Sequence, residues 1–180
     1  MLKILALLLI NFAYLSPVHA EQITDSQLAL SPDGTQQVFI RELPNKTSEL
    51  WIMDASGSNA HAIVHERYDD DVKKNLTGLN TPLFSLNGKA VYFLSEAWAT
   101  SNAVHVIDLS TNTQRFITDG NSLELIPHGK YQNYLIVSKH KYHDNEGGSF
   151  EEYWLVSPQG KDIKAIGESE EQVNAFIQAN

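Results

Sequence analysis

Ser31-Pro32-Asp33-Gly34, then Val38-Phe39-Ile40, then Glu49-Leu50-Trp51-Ile52-Met53-Asp54-Ala55-Ser56-Gly57-Ser58, is the stretch that decides the fold class. Pro32 presets φ and Gly34 supplies a positive φ, the chemistry of a tight reversal. The apolar runs at 38–40 and 50–53 are too short for helices and are bounded by turn residues, which marks them as strands. Leu28-Ala29-Leu30 precedes the first turn and residues 60–64 follow the second, so the stretch is one unit of four strands.

The unit recurs. Phe84-Ser85-Leu86-Asn87-Gly88 replaces the first turn, residues 90–95 the second strand and residues 103–107 the third. Asp108-Leu109-Ser110-Thr111-Asn112 then makes the second turn, and residues 113–118 close the copy. A third copy runs through residues 123–127, a turn at His128-Gly129, residues 131–138, Tyr153-Trp154-Leu155-Val156, a turn at Ser157-Pro158-Gln159-Gly160, and residues 161–166. Gly34 and Gly88 are 54 positions apart and Gly88 and Gly129 are 41 apart, so insertions sit in the connections. The pattern predicts an all-β chain of about twelve strands in three sheets. Phe39, Trp51, Phe93, Ile107, Leu135 and Trp154, each in a central strand of its copy, are expected to be buried.

The first copy resembles the blade repeat of the TolB-like β-propeller family, the type found in the periplasmic Tol-Pal system, and the resemblance covers residues 27–166. Asn87 stands where that pattern has Asp, and the third copy departs at His128 and Ser157. The resemblance implies blades of four antiparallel strands, in proteins that mostly bind other proteins or polymers. Closed propellers generally use at least four blades, whereas residues 21–180 at about 40 to 45 per blade allow between three and four. The fold expected is therefore a small β-propeller or a propeller arc of about three four-stranded blades. An arc leaves sheet edges to be covered by the C-terminal segment, by a second copy of the chain or by a partner. Val173, Phe176 and Ile177 share one helical face within residues 168–179, which predicts a short C-terminal helix.

Residues 1–20 read as a cleavable signal peptide: Lys3, an apolar run at 4–10 extended by Phe12, Ala13, Tyr14 and Leu15, then Ser16-Pro17-Val18-His19-Ala20. Val18 and Ala20 suit the small pockets of a signal peptidase, and an apolar run broken at Asn11 falls short of the roughly 20 residues that span a bilayer. Export to the periplasm, a mature chain of residues 21–180 and no membrane insertion after cleavage are expected. With no cysteine there is neither a disulfide nor a lipid-modified cysteine.

The 180 residues carry 13 basic and 22 acidic side chains, a net of −9, and loss of Lys3 takes the mature chain to −10. Nucleic acid, which attracts clustered Lys and Arg, is excluded as a partner by this balance, and a protein with a basic surface is favoured. No Gly-x-Ser-x-Gly elbow, no nucleophilic cysteine and no phosphate loop occurs, so the expectation is a non-enzyme without cofactor. Asp69-Asp70-Asp71 lacks the alternating oxygen ligands and glycine turn of a calcium loop. His140 and His143, three apart, fall on opposite faces of a strand, so no metal is expected there either.

The expected contact surface is the insertion at 140–150, with His140, Tyr142, His143, Asp144, Glu146 and Phe150, since binding residues concentrate on loops held by rigid sheets. Trp98, in the polar connection at 96–102, is a second anchor. These features point to a periplasmic protein-binding module. Alternatives are an immunity or inhibitor protein blocking a secreted cell-wall hydrolase, and a propeller enzyme or sugar-binding protein with a central pocket.

Overall fold

The structure, a computed structural model, describes residues 23–144 and 147–180; the expected leader, the start at Glu21 and Glu146 lie outside them. The first sheet is β1 (Thr24–Leu30), β2 (Gln36–Glu42), β3 (Ser48–Asp54) and β4 (His61–His65). The second is β5 (Thr77–Phe84), β6 (Ala90–Trp98), β7 (Ser101–Asp108) and β8 (Thr113–Asp119). The third is β9 (Ser122–Leu125), β10 (Leu135–Tyr142), β11 (Ser149–Val156) and β12 (Asp162–Gly167), followed by helix α1 (Glu170–Ala179). Each sheet is an antiparallel meander in chain order. β1 lies against β5 and β5 against β9, so the first strands share the inner side of a three-bladed arc.

The repeated turns close by the same bonds. Ser31 Oγ and the Thr35 N–H donate to the Asp33 carboxylate at 2.7 and 3.0 Å, while Ser31 Oγ accepts from the Gln36 N–H. In the second sheet Ser85 Oγ and the Lys89 N–H donate to Asn87 Oδ1 at 2.9 and 3.0 Å, and Ser85 Oγ accepts from the Ala90 N–H. Asn87 therefore keeps the turn of its Asp counterpart, because the turn needs only an acceptor oxygen.

Val38, Ile40, Leu50 and Ile52 of the first sheet pack on Val91, Phe93 and Ile107 of the second. Tyr92, Leu94, Val104 and Val106 then pack on Leu135 and Val137 of the third. The outward face of the third sheet, with Ile136 and Leu155, is covered by Val173, Phe176 and Ile177 of α1. Burial of each such aliphatic side chain is worth roughly 1.5 to 3 kcal/mol. The helix is set by Ser169, whose side chain accepts from the Gln172 N–H in a capping box. Phe39 and Trp51 lie on the opposite face of the first sheet, and no fourth sheet packs there among the described residues.

Phe39, Phe93, Ile107 and Leu135 are buried as expected. Trp51 and Trp154 are only half-buried, a correction explained by their indole N–H groups, which donate to Glu49 and Glu152 at 2.8 and 2.7 Å. In the third sheet β10 starts at Leu135, not at Tyr131. The Tyr131 ring instead stacks on Phe176 at 5.6 Å, which holds residues 131–133 in a turn beneath α1.

Candidate functional site

Residues 140–150 are not a loop throughout. β10 runs on to Tyr142 and β11 begins at Ser149, with His140 opposite Glu151, Lys141 opposite Phe150 and Tyr142 opposite Ser149. Apart from Phe150 and the ring of Tyr142, both faces of this extension carry polar side chains, so it lacks the alternation by which a half-buried strand is recognised. His140 Nδ1 lies 3.0 Å from Glu151 Oε1, and its ring meets Tyr142 edge-on at 4.9 Å. His143 stacks on Phe150 at 4.8 Å and Asp144 is exposed in the turn. The two histidines thus have separate partners. Among the described residues no group of three His, Asp or Glu side chains is placed to hold a metal ion.

Asp69, Asp70 and Asp71 diverge to local donors. Asp69 accepts from the Asp71 N–H, Asp70 from the Tyr68 hydroxyl and Asp71 from the Lys73 N–H. The Lys74 ammonium, 3.1 Å from Asp71, and that backbone bond hold the Asp71 carboxyl below the usual carboxylate range.

Trp98 ends β6 rather than lying in a connection, beside a hairpin turn at Ala99 and Thr100 that carries no glycine or asparagine to announce it. It is 39% exposed and meets Phe116 of β8 edge-on at 6.4 Å. The two rings line a groove of about 580 Å³ between the second and third sheets, with Lys73, Thr118, Asp119 and Asp162 among its walls. Beside the groove Lys139, 3% exposed, donates to Thr118 Oγ1 at 2.9 Å, Asp119 Oδ1 at 3.0 Å and Asp162 at 2.9 Å. Partial burial opposes ionisation of Asp119, but the hydrogen bond and charge of Lys139 outweigh it and hold the carboxyl below its ordinary range.

Sequence reasoning missed Phe116, Asp119, Lys139 and Asp162. Lys139 had a signal, a cation closing the apolar run from Leu135, which burial would force into ion pairing. Its partner Asp162 is 23 residues away and was not readable from spacing.

Asn121 ties the groove to the hairpin. Its Nδ2 donates to the Thr100 carbonyl at 3.0 Å and to Glu151 Oε1 at 3.3 Å, so the β6–β7 and β10–β11 hairpins adjoin at one end of the arc.

Ser95 and His105 also meet, at 3.1 Å, but both are fully buried and Ser95 Oγ donates to the Asn75 carbonyl. Burial pushes the His105 pKa down to about 4. The pair seals the core and is closed to a substrate.

No family model and no curated protein matches the sequence. Solved structures do match in fold. An acylaminoacyl peptidase from Pyrococcus horikoshii aligns at 13% identity and TM-score 0.59, over 85% of this chain and 26% of that one. The β-propeller domain of the Trilobed protease from Pyrococcus furiosus aligns at 15% identity and TM-score 0.56, over 82% and 43%. TolB from Acinetobacter baumannii aligns at 19% identity and TM-score 0.54, over 80% and 32%. The chain spans between about a quarter and a half of the length of these structures, and what it shares with them is the propeller fold.

Proposed function

We propose that this chain is a non-enzymatic periplasmic protein-binding module built from TolB-like blades, which meets its partner through the end of the arc where the β10–β11 hairpin adjoins the Trp98 groove. The observation that carries this is the junction at Asn121, which brings a projecting hairpin and a half-exposed indole onto one surface. Tyr142, 65% exposed on the hairpin, and Trp98 are residues of the type that dominates interface energetics. The leader-like residues 1–20 and the fold shared with TolB support the compartment. A net of −10 in the mature chain favours a basic partner, with association slowed by salt.

Affinity capture from periplasmic extract tests the proposal, with residues 21–180 as bait beside a variant in which a Gly-Ser turn replaces residues 143–148. That replacement spares every paired residue of the hairpin. A protein retained by the first bait and lost by the second is the expected result. Equal retention by both removes the hairpin tip, residues 143–148, from the interface.

A narrower second reading is an inhibitor or immunity protein of an exported cell-wall hydrolase, favoured by the same hairpin, which could enter a cleft. Inhibition of the captured protein's hydrolase activity by residues 21–180 would support it.

A further inference from the structure

We infer that the groove between the second and third sheets receives a basic side chain of the partner, an arginine or lysine whose cationic head lies over Trp98 and meets Asp119 and Asp162. The inference rests on the protein-binding reading above and names what that protein must present.

Charge is the first ground. Two carboxylates share one buried ammonium, so Asp119, Lys139 and Asp162 together carry one net negative charge, and the other cation of the groove walls, Lys73, lies over Phe116 rather than paired with either aspartate. The aspartate side chains remain 47% and 43% exposed while Lys139 does not. Lys139 and Thr118 both donate to Asp119 Oδ1, and Oδ2 carries no hydrogen bond among the described residues. A further donor therefore finds a free acceptor.

The aromatic wall is the second. Phe116 already takes an ammonium of this chain, Lys73 Nζ, 5.6 Å from its ring centroid. Trp98 beside it is the better cation acceptor of the two, because the indole face carries the stronger quadrupole.

The first sheet supplies the third, an internal example of the complex. There the Arg41 guanidinium lies 4.1 Å from the Trp51 ring centroid while binding Asp25 through two bonds of 2.6 and 2.7 Å. An indole beside carboxylates holds a guanidinium in that blade. The groove presents the same groups with no guanidinium of its own chain on Trp98 among the described residues.

The test is a titration of the full chain with the tripeptide acetyl-Gly-Arg-Gly-amide, followed through the Trp98 indole N–H signal by NMR. Saturable shifts are expected with the arginine peptide and none with acetyl-Gly-Gln-Gly-amide. Binding should weaken about fivefold or more between about 20 mM and about 500 mM salt. Lys73→Ala, which vacates the Phe116 face, should tighten binding about twofold or more. Asp162→Asn and Trp98→Ala should each weaken it about tenfold, the first followed at the indole and the second at the Asp119 amide. Thermal midpoints of both variants show whether they fold, and either one that folds suffices.

No shift with the arginine peptide, an equal shift with the glutamine peptide, or an equal shift with chitobiose, the signature of a sugar site, overturns the inference. The hairpin-shortened variant separates the two proposals. If it still binds the arginine peptide while capture of a partner fails with every bait, the groove keeps its affinity for a cationic side chain, but the module reading falls and with it the assignment of that side chain to a protein partner. If Trp98→Ala captures the partner as well as the unaltered chain does, the groove inference falls alone.

Discussion

Arg41 and Lys139 hold the same position in their blades: each stands across from the glutamate of a Glu-x-Trp pair, Arg41 facing Glu49 beside Trp51 and Lys139 facing Glu152 beside Trp154. From that shared position the two cations diverge. Arg41 turns to Asp25 within its own sheet. Lys139 reaches Asp119 of the second sheet and Asp162 of the third, so a pair internal to one blade has its counterpart in a bond between two blades.

The divergence predicts unequal losses. Lys139→Met should cost about 2 to 3 kcal/mol, because it leaves two neighbouring carboxylates without their cation; their partial exposure keeps the cost below that of a fully buried pair. Arg41→Met, a pair nearer water, should cost about 1 kcal/mol or less. Urea denaturation compares them, and equal losses would show that Lys139 does not join the blades.

His105 predicts a pH dependence. Its pKa is about 4 when folded against an ordinary value of 6.5, so between these values the unfolded chain binds the extra proton. Stability is fully present above about pH 6.5 and falls as pH drops toward 4, by up to about 1.4 kcal/mol per unit. The lowered carboxyls, Asp33, Asp71, Asp108 and Asp119, have an ordinary value of 3.8 and act below that window. Denaturation at pH 7, 6 and 5 should show the fall, and His105→Phe should flatten it. A slope unchanged in that variant would move the effect to another group.

The sheets were legible because their turns are local: Asp33 and Asn87 each bond to atoms two residues away. Half-burial of Trp51 and Trp154 was also within reach, since Glu49 and Glu152 stand two positions earlier and period-two alternation puts each pair on one face. The groove was different in kind. Lys73, Trp98, Phe116, Asp119 and Asp162 come from four strands or connections: the register of the second sheet brings Trp98 to Phe116, and its packing on the third adds Asp162. The polar neighbours of Trp98 mark it in the sequence, yet its ring partner Phe116 is visible only with the β7–β8 register.

Helix α1 predicts an oligomeric change. Val173 is 4% exposed between α1 and the face carrying Ile136 and Leu155. Val173→Asp places an unpaired carboxylate there and should lift the helix, exposing an apolar sheet face that associates with other copies. Sedimentation should show concentration-dependent oligomers absent from the unaltered chain. A strictly unchanged mass, with the helix shown detached by amide exchange, would mean that the face needs no cover.

Gly160 and Gly34 separate backbone strain from contact. Both have positive φ, +91° and +70°, so alanine at either costs roughly 1 to 2 kcal/mol from its backbone alone. A Cβ on Gly34 meets nothing within 4 Å, whereas one on Gly160 would overlap the Ile117 carbonyl oxygen. To accept it, the β11–β12 turn must move off β8, lengthening the bond from Arg115 Nη2 to the Pro158 carbonyl. Gly160→Ala should therefore cost about 2 to 3 kcal/mol more than Gly34→Ala in urea denaturation. Because Gly160 and Asp162 both line the groove, the same substitution should weaken the arginine tripeptide while Gly34→Ala leaves its affinity unchanged. Equal stability losses at the two glycines, with tripeptide affinity intact in both, would show that the turn yields freely and does not set the position of Asp162.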